Sequence, residues 1–148
     1  SRTEAKNFIA RYFEKYATIH GLQEQFLTQA RNNGFAKTLM GRRRYLPAIN
    51  SRGLLRRMAE GAAINTPIQG SAAEIIKLAM IAIDQKLSCE KFNTKMILSV
   101  HDELVFDTPK EEVSIIVDLV KQEMENVLTL EVPLIAEVGI GENWLEAH

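Results

Sequence analysis

Five stretches of the chain space their apolar residues as an amphipathic helix does, and each predicts a helix. The predicted helices cover 1–20, 22–31, 54–64, 71–86 and 109–127. Ser1 with Glu4, and Ser71 with Glu74, have the capping-box spacing that is typical of helix starts. The first stretch gathers its aromatic residues on one face, which predicts that they lie in a core. The stretch at 71–86 is apolar on more than one face, which predicts burial from two sides.

Shorter apolar runs between these helices predict β-strands. They lie at 35–40, 45–46, 96–100, 104–106 and 134–140. Pro67 and Gly70 are expected to bend or break the helical pattern between 65 and 70, because proline lacks a backbone donor. Helices beside antiparallel hairpins predict the α+β class.

The composition is that of an ordinary globular domain, with 46% hydrophobic and 25% charged residues among 148. The chain shows neither a run of about 18 apolar residues nor a signal peptide, so we expect no membrane partner and a cytoplasmic location. Cys89 is the only cysteine, which excludes an intramolecular disulfide and a cysteine-rich metal site.

The charges are unevenly distributed along the chain. Residues 1–60 hold 12 basic and 4 acidic side chains, whereas 61–148 hold 6 basic and 15 acidic ones. This asymmetry predicts a polyanionic partner for the first part and bound cations on the second.

Three consecutive arginines, Arg42, Arg43 and Arg44, occupy the predicted turn between the first two strands. Their guanidinium groups repel one another, and phosphate oxygens would offset that repulsion through bidentate hydrogen bonds. The alternative is a basic turn that is simply solvated.

A polar tip, His101-Asp102-Glu103, connects the two strands of the second predicted hairpin. Neighbouring carboxylates are hard oxygen ligands of the kind that Mg²⁺ shares with substrate phosphates. The alternative is a hairpin end whose acidic side chains only face water.

Four stretches, in this order, resemble the C-terminal part of a family A DNA polymerase of the bacterial DNA polymerase I type. They are GRRRYLP at 41–47, INTPIQGSAAEIIKLAM at 64–80, SVHDELVF at 99–106 and GENW at 141–144. The resemblance implies a C-terminal part of the fingers over 1–53 and of the palm over 54–148. It also implies a palm-type antiparallel sheet, with the acid-tipped hairpin backed by helices.

The resemblance assigns roles to individual residues. Asp102 matches a Mg²⁺ ligand, Glu103 the neighbouring catalytic acid, and His101 a residue near the primer terminus. Asn65 and Gln69 match side chains at the minor groove of the nascent duplex, where every base pair offers an acceptor at a similar place. The alternative is that both cap backbone groups freed around Pro67.

The reaction implied is template-directed addition of deoxynucleoside triphosphates to primer–template DNA with two Mg²⁺ ions, in replication or repair. The family's first catalytic aspartate, in a segment resembling DYSQIELR, and its nucleotide-binding helix have no counterpart here. We therefore expect a fragment that needs the missing upstream polymerase segment and is inactive alone. Large apolar surfaces exposed by that absence would also favour self-association.

Two positions depart from the family pattern. Gly61 stands where an arginine usually faces the primer, and Ser99 where a glutamine is common. Gly61 offers no phosphate contact, although Arg56 or Arg57 could replace it in part.

Two other classes of function remain open from the residues. One is a non-catalytic nucleic-acid-binding module that rests on the basic first part. The other is a metal-dependent phosphohydrolase built on Asp102 and Glu103, which needs a further ligand. His20 and His148 are expected to be exposed bystanders.

Overall fold

Helices and antiparallel hairpins alternate along residues 1–147, the part of the chain that the computed structural model describes. This arrangement confirms the predicted α+β class. The chain divides into two compact units, Ser1–Ser71 and the part from Ala72 onwards. The elements are α1 Arg2–Lys15, α2 Ala17–Asn33, β1 Phe35–Lys37, β2 Arg43–Tyr45, α3 Gly53–Asn65, a π turn Thr66–Gly70, α4 Ser71–Cys89, β3 Lys95–Val100, β4 Glu103–Asp107, α5 Val113–Asn126 and α6 Trp144–Ala147.

Helix α1 begins as predicted and ends earlier than predicted. The Ser1 hydroxyl accepts a hydrogen bond from the Glu4 N–H, and the Glu4 side chain bonds back to the Ser1 amino group, so the first capping box is confirmed. The break between α1 and α2 falls at Tyr16, whose ψ of 57° leaves the helical region, and not at Gly21. Glycine inside a helix lowers stability by only about 1 kcal/mol relative to alanine, so α2 continues through Gly21.

The prediction that the aromatic face of α1 lies in a core is wrong. No side chain of the fully described helix α1 is buried, and Phe8 is 71% exposed. The Tyr12 ring contacts the rings of Phe13 and Tyr16 instead. The helical period identified the apolar face correctly, but burial also requires an element that covers it.

The core of residues 1–71 joins α2, α3 and the first hairpin. Its buried residues are Leu27, Ala30, Ala36, Leu46, Ile49, Ala59 and Ala63. Strands β1 and β2 pair antiparallel, with Ala36 opposite Arg44. The chain reverses over 38–42 and not over 41–44 as predicted, so Arg43 and Arg44 belong to β2.

The segment 66–70 stays helical. Pro67 has no N–H to donate, and the chain accommodates it with a wider π turn, so the helix continues and the predicted break does not occur. Ser71 does not begin a helix, because it has helical dihedrals (φ −68°, ψ −41°) and follows the π turn without a break. Its hydroxyl donates to the Pro67 carbonyl one turn back. The second predicted capping box is therefore wrong.

In the second unit, α4, α5 and the second hairpin share one apolar cluster. Its buried members are Ile83, Leu87, Ile116, Leu119 and Val120, with Met96, Leu104 and Phe106 packed against them. Helix α4 contributes Ile83 and Leu87 to this cluster, whereas Leu78 is 38% and Ile81 55% exposed, so the predicted burial from two sides fails at these two positions.

Helix α5 begins at Val113, four residues after the predicted start, because 109–112 form a turn closed by a bond from the Glu112 N–H to the Pro109 carbonyl. The Glu112 carboxylate accepts hydrogen bonds from the Thr94 hydroxyl at 2.6 Å and from the N–H groups of Asn93 and Thr94 at 2.9 Å. These bonds, that of the Thr94 hydroxyl foremost, lower the pKa of Glu112 below its ordinary value of 4.5. They fix the chain immediately before β3.

The predicted strand at 134–140 does not form, and Ile135 is 77% exposed. Among the described residues no strand pairs with it, and an unpaired segment is not a β-strand. Cys89, at the end of α4, is exposed. Within residues 1–147, no helix combines the length and the apolar character that crossing a bilayer requires.

Candidate functional site

A cavity of about 200 Å³ in the first unit brings together the DNA-binding residues predicted there. It is lined by Thr38, Arg42, Arg43, Arg44, Asn65, Thr66, Gln69 and Gly70. The arginines come from the first hairpin, whereas Asn65 ends α3 and Gln69 lies in the π turn. All five of these predicted residues are exposed.

Hydrogen bonds to Thr38 close the turn that carries the arginines. The Thr38 N–H donates to the Arg42 carbonyl at 2.9 Å, and the Arg42 N–H donates to the Thr38 Oγ1 at 3.0 Å. Gly41, at a φ of +93°, completes the reversal in a conformation that favours glycine.

Arg43 is further oriented by an aromatic ring. Its guanidinium carbon lies 4.8 Å from the centroid of the Phe35 ring, a cation–π arrangement. The Phe35 ring in turn meets the Tyr45 ring edge-on at 5.9 Å. Arg43 is therefore positioned before any ligand arrives.

The backbone around Pro67 is satisfied by hydroxyl groups. The Thr66 hydroxyl donates to the Ala62 carbonyl at 2.6 Å, and the Ser71 hydroxyl donates to the Pro67 carbonyl. Sequence reasoning missed Thr38 and Thr66 and gave Ser71 a different role, that of a helix cap. The signal for Thr66 and Ser71 is a hydroxyl four residues after the carbonyl it contacts, a frequent pattern within helices.

Two further arginines of this unit share one carboxylate. Glu60 accepts from Arg31 Nη2 at 2.7 Å and from Arg56 Nε at 2.8 Å, and these two bonds, that of Arg31 foremost, lower the pKa of Glu60. Arg56 is thus engaged with Glu60, which weakens the expectation that it replaces an arginine at Gly61. Arg57 is exposed.

The acidic tip of the second hairpin is a two-residue turn. Val100 pairs with Glu103, so His101 and Asp102 form the turn and Glu103 belongs to β4, one residue fewer than the predicted three-residue tip. His101 has a φ of +54°, at the turn position where glycine is favoured. A register shift between Met96 and Leu98 marks a bulge in β3.

The tip offers oxygen donors but not a complete metal cage. Asp102 is exposed and Glu103 half-buried, and their carboxylates suit a hard divalent cation. Among residues 1–147, no three His, Cys, Asp or Glu side chains come together as a metal-binding group. His20 is exposed, and His148 lies outside the described residues. The described residues thus supply at most part of such a site.

Residues 1–146 match the family described as DNA polymerase family A, and the chain belongs to that family. It is 47% identical to DNA polymerase I of Lactococcus lactis subsp. lactis and 49% identical to DNA polymerase I of Streptococcus pneumoniae serotype 4, over 148 residues in each case. These alignments cover 99% of the chain but 17% of either relative, so it corresponds to a part of them.

A solved structure supports the same family. The structure described as the POL domain of Pol1 from M. smegmatis in complex with DNA primer-template and dNTP superposes with a TM-score of 0.94 at 41% identity. That similarity covers 99% of this chain and 26% of the other.

Proposed function

We propose that this chain forms part of the active site of a template-directed DNA polymerase, which adds deoxynucleotides to a primer 3′ end and releases pyrophosphate. The observation that carries the proposal is the match to DNA polymerase family A over residues 1–146. The similarity to a polymerase domain solved with primer-template and dNTP supports DNA and deoxynucleoside triphosphates as partners. Replication and repair are the processes such a reaction serves.

In this proposal Asp102 supplies a carboxylate oxygen to Mg²⁺, Glu103 supports it from the adjacent strand, and His101 lies near the primer terminus. Two Mg²⁺ ions, when bound, stabilise the charge that develops on the attacking and leaving oxygens. The other carboxylates of the cage come from the upstream polymerase segment. The exposure of Asp102 at a turn supports this role, since it leaves the carboxylate accessible.

The first unit holds the duplex in this proposal. Asn65 and Gln69 donate to minor-groove acceptors, which lie at similar places for every base pair and therefore report pair shape. Arg42, Arg43 and Arg44 bind phosphate oxygens. The cavity that these five residues share supports a single DNA surface.

The boundary between a fingers part (1–53) and a palm part (54–148) stays a prediction, as does the cytoplasmic location. Self-association is also part of the proposal, because Phe8, Ile135 and Leu145 are among many exposed apolar side chains. Sedimentation velocity over a range of concentrations would test it, and a strict monomer would contradict it.

The proposal is tested by primer extension with Mg²⁺, in which the upstream segment of a bacterial DNA polymerase I is added as a separate polypeptide. We expect no extension by the chain alone and extension by the associated pair. Asp102→Asn should abolish it, whereas Asp118→Asn, on an exposed part of α5, should not. Extension by the chain alone would overturn the predicted inactivity, and extension that survives Asp102→Asn would overturn the metal role.

The alternative of a non-catalytic nucleic-acid-binding module gains support from the arginines around the cavity. It predicts duplex binding by the chain, with no extension from a demonstrably folded and associated pair. In that case Asp102→Asn would change no measurable property. The same lack of extension would also indicate a degenerate polymerase, for which Gly61→Arg is the first variant to test.

A further inference from the structure

Two buried hydroxyl groups connect the hairpin that carries the arginines to the π turn that carries Gln69. We propose that Ser71 and Thr38 are positioning residues, which fix Arg42, Arg43 and Arg44 relative to Asn65 and Gln69. The inference rests on the proposed function, because it assumes that these five side chains bind DNA.

Ser71 bonds to both segments at once. Its hydroxyl donates to the Pro67 carbonyl in the π turn and accepts from the Leu39 N–H in the hairpin at 2.8 Å. Ser71 is only 7% exposed, so water does not readily replace either bond. Removing the hydroxyl would take away the acceptor that the Leu39 N–H has at Ser71, and leaving such a donor unpaired beside a buried side chain is costly.

Thr38 makes the second connection through its hydroxyl and its methyl group. Its Oγ1 accepts from the Arg42 N–H at 3.0 Å, which sets the backbone at the first arginine. Its methyl group contacts Gly70 so closely that a Cβ added there would stand 2.7 Å from it. Thr38 is 5% exposed, so this contact is part of the packed interior.

These contacts have a consequence for DNA binding. Phosphates and groove acceptors occupy set separations on a duplex, so their ligands must be held at matching separations. The hairpin cannot slide along the π turn without breaking the Leu39–Ser71 bond or moving the Thr38 methyl off Gly70. The two hydroxyl residues thus affect DNA affinity without touching DNA.

The first test measures the affinity of the chain for a short primer–template duplex by fluorescence anisotropy at several salt concentrations. We expect Ser71→Ala and Thr38→Val each to weaken binding roughly fivefold, the effect of losing the one hydrogen bond that each hydroxyl accepts from the backbone of the hairpin. The slope of log affinity against log salt should fall by about 1, the value for one lost phosphate contact. Ser71→Thr keeps the hydroxyl and should restore binding, and Ser114→Ala, on exposed helix surface, is the matched control.

A thermodynamic cycle separates positioning from general stability. Ser71→Ala is combined with alanine at Arg42, Arg43 and Arg44. If Ser71 acts through the arginines, its replacement has no further effect on affinity in that background. An effect of equal size in both backgrounds would show a merely structural role and overturn the inference.

A second pair of variants tests the Gly70 contact. Gly70→Ala should weaken binding, because its methyl group displaces Thr38. Adding Thr38→Ser removes the colliding methyl and leaves Thr66 Cγ2 at 3.7 Å as the nearest remaining side-chain atom, so affinity should recover. The inference would be contradicted if Gly70→Ala bound the duplex with the affinity of the unaltered chain. It would also be contradicted if the double variant did not recover that affinity.

Failure of the inference and failure of the proposed function are distinguishable. If the unaltered chain does not bind the duplex, the proposed DNA contacts are overturned and the inference falls with them. If it binds and Ser71→Ala, Thr38→Val and Gly70→Ala bind equally well, only the inference is overturned. Urea unfolding of each variant establishes that the binding data come from folded protein.

Discussion

The two compact units bury different kinds of side chain. Four of the seven buried residues in the core of 1–71 are alanines, whereas the second cluster consists of isoleucine, leucine and valine with half-buried aromatic and methionine side chains around them. Alanine lets backbones approach closely, while long aliphatic side chains fill the space between elements that stand further apart.

The difference determines how each unit holds its candidate residues. In the first unit, backbone segments lie so close that Gly70 has no room for a methyl group, and hydrogen bonds fix the arginine turn from two sides. In the second, the hairpin rests on apolar side chains of α4 and α5, and the turn backbone itself positions His101 and Asp102. Close packing therefore governs the first site, and turn geometry the second.

The largest effect is expected from a cavity in the second core. Ile83 is fully buried, so Ile83→Ala should lower the free energy of unfolding by about 2–5 kcal/mol. Ile81→Ala, on the exposed face of the same helix, is the control and should cost far less. Urea unfolding gives the free energies, and hydrogen exchange shows where protection is lost. If Ile83→Ala lowered hydrogen-exchange protection equally in residues 1–71, the distinction between the two cores would be wrong.

The first core should be sensitive in the opposite sense, to added volume. Ala63 is fully buried among other small side chains, so Ala63→Leu should cost about 1–3 kcal/mol through overpacking. Ala10→Leu, on an exposed surface of α1, should be nearly neutral. The measurement is again urea unfolding. An Ala63→Leu variant as stable as the unaltered chain would show that this core is not closely packed.

A smaller, pH-dependent effect is expected at Glu112. Its pKa is lowered in the folded chain, so its contribution to stability is present above the ordinary value of 4.5 and is lost as the pH falls through the folded pKa. Glu112→Gln should therefore be less stable at pH 7, and the difference should shrink as the pH falls below the ordinary value of 4.5. Thermal unfolding at a series of pH values tests this, with Glu111→Gln as the neighbouring control. A difference independent of pH would refute it.

The smallest effect is expected at the hairpin turn. His101 has a positive φ, so His101→Gly should raise stability by about 0.5–1 kcal/mol through relief of backbone strain. Asp102→Gly, beside it in the same turn, lacks that benefit and should not stabilise. Unfolding free energies decide between them. A destabilised His101→Gly variant would mean that the histidine side chain, and not the turn backbone, holds the tip.

Much of the fold could be predicted from local pattern. The apolar spacing located α3, α4 and α5 and both hairpins, and the Ser1 capping box marked the start of α1. The misses depend on distant parts of the structure. The helical period shows which face of α1 is apolar but not whether another element covers it, so the prediction that the α1 aromatic residues lie in a core is wrong. A strand at 134–140 would need a partner strand, which residue spacing does not reveal.

The candidate site was likewise predictable from local residue pattern only in part. The residue types at Arg42 and Asp102 indicated phosphate and cation chemistry, and the family resemblance added Asn65 and Gln69. That the first-unit residues line one cavity could not be deduced from spacing, because more than 20 positions separate the arginines from the π turn. The role of Ser71 was misread because its bonds are tertiary and cross from helix to hairpin.

The exposed thiol at the end of α4 has a practical consequence. Cys89 is the only cysteine in the sequence and is accessible, so a maleimide dye or a nitroxide spin label attaches at one defined place without prior mutagenesis. A cysteine introduced in the first unit would then form a labelled pair with it. Energy transfer or electron spin resonance between the two labels would measure how the two units are arranged in solution and whether duplex DNA changes that arrangement.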